Sequence, residues 1–333
     1  MPEGINDWGL ATDLGQCRLC GSTAGQRHYW PERYADSGQG LRRCGYCAGV
    51  YLAPGFTETG LISFYQGPYR RLFPAEVPWR DQARFFAWRG DRDSARQRLG
   101  LIAPALAPGA RLVEMGSGFG AFLGQAAALR PDLTLAASEP DIAHRTALLE
   151  GAPVQFFDNL QHVAVGSADA LVAFHVLEHL PDPLGFLEQA GQVLCEGGQL
   201  WVEVPDLMAD WQTRLFVHPA HLSYFCADTL RRLAEAAGLQ VIHCGAHPLD
   251  TMADTLWLQA RRPHTPLPTP MAAAQDGQVA AIDAWVERVG WGRKDRFKQL
   301  GKRLALAAFG AGLVGELQRW RHHRSRARQE RAR

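Results

Sequence analysis

Short apolar runs alternate with amphipathic stretches over roughly Ala110 to Ala260. Arg111–Met115, Thr134–Ser138, Pro153–Phe157, Ala170–Phe174, Gln199–Val204, Leu239–Cys244 and Thr255–Ala260 have the length and β-prone composition of buried strands. Between them, Ala121–Leu129, Leu184–Leu194 and Ala227–Ala237 read as helices. Such alternation predicts a parallel α/β sheet, here of seven strands. Upstream lies a connector dense in aromatics, among them Phe56, Phe64, Tyr65, Tyr69, Phe73, Trp79, Phe85, Phe86 and Trp88, and broken by Pro68, Pro74 and Pro78. These aromatics are expected to pack rather than to form a lid with Tyr65 and Tyr69 facing substrate. Asp93–Leu106 then reads as one helix, closed by Pro108-Gly109. A Pro/Thr linker runs from Arg261 to Pro270, and Ala273–Gly290 and Arg293–Leu317 read as helices beyond it.

The first strand of the alternation ends in Glu114-Met115-Gly116-Ser117-Gly118-Phe119-Gly120 and feeds a helix. Glycines at such a junction let backbone N–H groups and a helix N-terminus approach a ligand, because no Cβ intervenes. Gly116-x-Gly118-x-x-Ala121 also fits the dinucleotide fingerprint, so the glycines alone leave two cofactor classes open. Glu139 follows the second strand, 19 residues after Gly120. A carboxylate there accepts hydrogen bonds from ribose hydroxyls in either class.

Two knuckles, Cys17-x-x-Cys20 and Cys44-x-x-Cys47, stand 23 residues apart near the N-terminus. Two thiolate pairs at this spacing fill all four positions of a tetrahedral Zn²⁺. Such a closed site leaves no open position for substrate, so the expected metal is structural, folding a segment with little core of its own.

After the fourth strand comes His175-Val176-Leu177-Glu178-His179-Leu180-Pro181-Asp182-Pro183. As a pattern this is H-x-x-E-H, a zinc-protease motif. Pro181 and Pro183 leave no room for the helix that would hold both histidines on one face, which argues against that reading. Together with Glu114-x-Gly116-x-Gly118-x-Gly120 upstream and Glu196-Gly197-Gly198 downstream, the run instead resembles class I S-adenosylmethionine (SAM) methyltransferases. With the four-cysteine segment included, the chain is similar to the sugar C-methyltransferase and methyltransferase-23-like group.

The resemblance implies a Rossmann-like, doubly wound methyltransferase sheet with a small N-terminal zinc ribbon and a helical C-terminal extension. The divisions would be 1–55 for the ribbon and 56–108 for the connector. The SAM-binding domain would follow over 109–262, with linker and basic helices over 263–333. SAM would be held by Glu114, Gly116, Gly118, Gly120, Glu139, His175 and Asp158, the last against the adenine amino group. His218-Pro219-Ala220-His221-Leu222-Ser223-Tyr224-Phe225 would lie over the donor methyl, with His221 the first choice as base. His179 and then His175 follow it, and Tyr224 would orient substrate. Sugar C-methyltransferases tend to carry Glu directly before that histidine and an aromatic hydroxyl three residues before it. Ala220 and His218 occupy those places, which turns the expectation toward O- or N-methyl transfer or an altered base pair.

Composition narrows the partners. A net charge of +1 argues against whole-molecule nucleic-acid binding; the resemblance implies a small-molecule acceptor, such as a nucleotide-sugar. The Arg-rich stretch from Arg319 to Arg333 is the candidate for peripheral contact with an anionic surface. Seven cysteines and no visible secretory signal lead to the expectation of a cytoplasmic protein. Two rival functions remain. One is an NAD(P)-dependent oxidoreductase on the same glycine loop; the other is a non-catalytic binding module built on the ribbon or the basic tail.

Overall fold

The computed structural model describes residues 9–11, 15–32, 34–66, 69, 90–140, 148–149, 151–209, 216–265 and 268–288. The readings placed on Arg293–Leu317, on the Arg319–Arg333 tail and on most connector aromatics lie outside these residues.

Seven strands form one sheet: β4 (Arg111–Met115), β5 (Thr134–Ser138), β6 (Val154–Phe156), β7 (Ala168–Phe174), β8 (Leu194–Pro205), β10 (Gln240–Ala246) and β11 (Thr255–Arg261). Their spatial order is β10-β11-β8-β7-β4-β5-β6. Neighbours from β6 to β8 pair in parallel, whereas β11 runs antiparallel to both β8 and β10. Alternate residues of each strand serve opposite faces. Leu112, Ala170, Val172 and Trp201 pack against Ala95, Leu99 and Phe122, which come from helices α2 (Asp91–Ile102) and α3 (Ala121–Leu129). Val113, Leu171, Leu200 and Val202 pack on the other face against Leu187 and Leu230 of α4 (Pro183–Val193) and α5 (Ala227–Ala236). Both faces are covered, which is why the central strands are apolar throughout.

Strand β8 is longer than the expected Gln199–Val204 because the Gly pair does not end it. Leu194 pairs with Ala168 and Gln199 with Ala170, so the intervening residues bulge out of the ladder, with Gly197 at φ +76°.

A second sheet has the order β1 (Gln26–Pro31), β2 (Gly40–Cys44), β3 (Val50–Ala53), β9 (Ser223–Tyr224). The four-cysteine segment thus shares its sheet with the stretch that carries His221. Leu52 N–H also donates to Leu222 O at 3.0 Å. A short helix, α1 (Glu58–Gln66), follows this sheet. Phe56, Phe64, Tyr65 and Tyr69 form a packed cluster with Ala35 and Ala220.

Helix α6 (Asp276–Arg288) docks on the ribbon sheet through Ile282, Trp285 and Val286. Asp283 there accepts from Arg43 Nε at 2.7 Å, from Arg27 at 2.6 Å and from the Tyr29 hydroxyl. Asp283→Ala should therefore cost about 1–3 kcal/mol in urea unfolding, the usual worth of hydrogen bonds to a charged group. An unchanged midpoint would mean that apolar packing alone holds α6.

Candidate active site and cysteine cluster

Three carboxyl ends of adjacent strands converge at the glycine loop, where open α/β sheets bind ligands. Gly116, Gly118 and Gly120 all take positive φ (67°, 52° and 82°), a conformation that disfavours any side chain. A Cβ at Gly116 would come within 2.5 Å of Val176 Cγ2, whereas one at Gly118 would meet nothing within 4 Å. The first glycine is therefore needed for packing, and the second faces open space. Gly116 N–H and Ser117 N–H donate to Ser138 O, and Gly118 N–H donates to Glu139 Oε2 at 2.7 Å. Glu139 and the glycine loop are thus joined by a direct hydrogen bond. Asp158 is exposed just beyond β6, and its carbonyl accepts from Ser138 Oγ at 3.0 Å.

Glu114 lies beneath the loop, 4% exposed. Burial, reinforced by Glu139 and Glu203 and opposed by Arg98, pushes its carboxyl up to about 8.

His175, at the end of β7, takes φ +57°, rare for a residue with a Cβ. Its ring sits in a cleft, 42% accessible, with Nδ1 3.4 Å from Glu178 Oε1 and Nε2 3.9 Å from Glu203 Oε2. Burial among protein atoms opposes a charge on this ring, but the two carboxylates outweigh it and raise its pKa.

Glu203 was not among the residues the sequence singled out. Fully buried, it accepts from Arg98 Nε at 2.9 Å and Nη2 at 2.6 Å, and from His247 Nε2 at 2.9 Å. Leu249 N–H donates to His247 Nδ1, so the imidazole proton lies on Nε2 facing Glu203. Burial disfavours the carboxylate, yet His247 and Arg98 hold its pKa below the ordinary value. The signal available was one acid inside an apolar strand, Trp201-Val202-Glu203-Val204.

A cavity of about 370 Å³ opens beside this network, lined by Arg98, His175, Phe216, His221, Thr251 and Asp254 among others. His175 and His221 thus share one wall system. The His179 ring is centred 5.0 Å from that of His221, and His179 Nδ1 donates to Ala220 O at 2.7 Å. Burial and the neighbouring His218, His179 and His175 hold the His221 pKa well below its ordinary value, so the ring is neutral with a lone pair to offer. His218 stacks at 3.9 Å and is itself pushed down to about 3 by burial.

Tyr224 needs a correction. Its register opposite Val50 puts it in the apolar cluster with Leu41, Leu52 and Trp285, behind His221. Its ring centre is 6.1 Å from that of His221, and it does not line the cavity. An orienting contact with substrate is not what this placement provides.

The four knuckle sulfurs come together, all within 4.8 Å of one another, with Cys17–Cys47 at 3.6 Å and Cys20–Cys44 at 3.8 Å. Zn–S bonds of about 2.3 Å in a tetrahedron set sulfurs about 3.8 Å apart, so the spacing fits. Backbone N–H groups of Leu19, Tyr46 and Gly49 point at three of the sulfurs, at 3.3–3.4 Å. A Cβ at Gly49 would collide with Leu19 at 2.1 Å, which explains that glycine.

A family model described as a methyltransferase domain matches residues 87–244, and over that segment the chain is similar to methyltransferase domains. The glycine loop, Glu139, Asp158, His175, Glu178, His179, Glu203 and His221 all fall within the match. The ubiquinone biosynthesis O-methyltransferases of Xanthomonas campestris pv. campestris strains B100 and 8004 are each 32% identical over 113 residues, 32% of this chain. The chain spans about half the length of these curated relatives, 47%.

Among solved structures, a SAM-dependent methyltransferase from Mesorhizobium loti is 15% identical, with a TM-score of 0.43 over 51% of this chain and 100% of that one. Phosphoethanolamine N-methyltransferase 2 of Haemonchus contortus is 12% identical, with a TM-score of 0.44 over 50% of this chain and 52% of that one. Among the described residues, no helix is long and apolar enough to cross a membrane.

The buried acid beneath the glycine loop gives a pH test. Because the Glu114 pKa is raised on folding, the folded chain keeps a proton that the unfolded chain has lost between about 4.5 and about 8. Stability should fall as pH rises through that interval and level off above it. Glu114→Gln should flatten the dependence in thermal melts from pH 5 to 8; an unchanged slope would assign it to other groups.

Proposed function

We propose that this chain transfers a methyl group from SAM to a hydroxyl of a small-molecule acceptor, a sugar or polysaccharide precursor, with histidine-assisted deprotonation. The observation that carries the reading is the glycine loop, open at Gly118, set beside a 370 Å³ cavity walled by His175 and His221. SAM supplies an electrophilic methyl that already bears its leaving group, so the chain's residues have mainly to align, exclude water and manage one proton.

Gly116, Gly118 and Gly120 would present backbone N–H groups to the donor. Glu139 would hold its ribose and Asp158 the adenine, as in the family the chain resembles. Acceptor binding falls to the cavity, where Phe216 and Met252 offer apolar surface and Thr251 and Asp254 hydrogen-bonding groups. Neutral His221 is suited to take up the acceptor proton, and His175 faces the same space from the side of the glycine loop. Transfer to oxygen is favoured by Ala220 and His218 standing where the C-methyltransferases carry Glu and an aromatic hydroxyl. The O-methyltransferase relatives support the same choice. The cysteine cluster would hold one structural Zn²⁺, each sulfur as a thiolate.

Calorimetry on the purified chain should show heat with SAM and S-adenosylhomocysteine and none with NADH. Gly118→Val, which puts a branched side chain into the open space at positive φ, should abolish that heat while the chain stays folded. Micromolar NADH binding with no SAM heat would replace this reading by the oxidoreductase. Metal analysis should find about one Zn²⁺ per chain that resists mild chelation, lost on Cys17→Ser together with the fold of the ribbon. Four freely titrating thiols in soluble protein would exclude that site. Once an acceptor is found, His221→Asn should lower turnover roughly 10²–10⁴-fold at unchanged SAM affinity. A lost fold with an intact rate per folded molecule would make His221 structural.

A further inference from the structure

Glu178, His179 and His221 each offer one ligand atom, and the three atoms lie within 4.8 Å of one another. Their hydrogen-bond accounting is incomplete in a way that packing does not explain. Glu178 is 2% exposed, and its Oε2 has no hydrogen-bond partner among the described residues. Its other oxygen is 3.4 Å from His175 Nδ1 and 3.8 Å from His179 Nε2, so only Oε2 stands without a donor. A buried carboxylate oxygen left without a donor is costly unless a charge compensates it. His221 Nδ1 likewise has no partner, while the same ring has a hydrogen bond with the Phe216 backbone.

The two imidazoles are also prepared as ligands. His179 Nδ1 donates to Ala220 O, which leaves the Nε2 lone pair free of a proton. A backbone carbonyl behind a metal-binding histidine is the usual means of fixing its tautomer and ring plane. The two segments are locked together by a second bond, Leu222 N–H to Glu178 O at 2.7 Å. Three lone-pair donors are therefore held in a preset arrangement at the edge of the acceptor cavity, which His221 itself lines.

We infer that Glu178, His179 and His221 bind a divalent transition-metal cation at the acceptor side of the cavity, separate from the cysteine cluster. Two imidazoles and a carboxylate suit Zn²⁺, Mn²⁺, Fe²⁺ or Co²⁺, and three protein ligands leave open positions for an acceptor oxygen. The inference deepens the methyl-transfer reading and rests on it for its role. An acceptor hydroxyl held on the cation would be made more acidic there; once its proton leaves to solvent, the oxygen lone pair forms the new C–O bond as the methyl–sulfur bond breaks, and that electron pair stays on the sulfur of S-adenosylhomocysteine. In this arrangement His221 serves as a ligand in place of the base role given it above.

Mn²⁺ titration of the full chain, read by electron paramagnetic resonance, tests the site, because a four-thiolate cluster disfavours this ion. One Mn²⁺ per chain is expected. The site should be lost in His221→Asn and weakened tenfold or more in the near-isosteric Glu178→Gln. In the wild-type chain, Mn²⁺ should also broaden a subset of the histidine ring resonances, a readout that needs no variant. Absence of both binding and broadening, or equal binding in both variants, overturns the inference. SAM calorimetry separates the two readings. SAM heat without a Mn²⁺ site removes the cation and keeps the methyltransferase, whereas a Mn²⁺ site without SAM heat does the reverse.

Discussion

The 2.5 Å that would separate a Cβ at position 116 from Val176 sets the spacing of the whole site. Only glycine lets the loop after β4 close onto the loop after β7, and His175 is the residue next to that contact. The glycine loop and the cavity wall are thereby placed one residue apart. Movement of either loop alone would open a void at Val176 or force an overlap there, so the two sides are positioned together.

Charge is concentrated under this contact. Glu203 is buried at the end of β8 and holds Arg98 from α2 and His247 from the loop after β10. A carboxylate in that position is tolerable only because donors from two other elements reach it. The same pairing draws α2 and the loop after β10 to the cavity rim, where Arg98, Thr251 and Asp254 form the wall. Removal of Glu203 would leave the half-buried Arg98 without its counter-ion, so this acid serves the shape of the cavity as much as its electrostatics.

The four-cysteine segment is tied to the His221 segment more closely than its place in the chain suggests. Strand β3 pairs with β9, Leu52 N–H reaches Leu222 O, and Arg232 of α5 donates to Cys47 O at 2.9 Å. His221 therefore sits on a segment stapled to the ribbon on one side and to Glu178 on the other. Folding of the cysteine segment and the placement of His221 are mechanically linked through these bonds.

The strand and helix pattern was legible to within a few residues at the element ends because the central strands are buried on both faces and need no tertiary information to be apolar. Arg111–Met115, Thr134–Ser138 and Ala121–Leu129 stand where the alternation of runs placed them. The knuckle spacing and the glycine turn were equally readable, since each is a local chain geometry set by residues a few positions apart. The extent of β8 was not, because a glycine pair can end a strand or bulge it, and pairing with β7 decided for the bulge. Nor could the sequence show that Glu203 meets Arg98, 105 residues away in the chain, or that Tyr224 turns into the ribbon. Those depend on which strands become neighbours, and the partners' spacing in sequence carries no trace of it. Glu178, His179 and His221 are the clearest case. The first two are adjacent in a motif, while the third arrives from beyond β8, brought in only when β9 joins the ribbon sheet and pins that loop beside them.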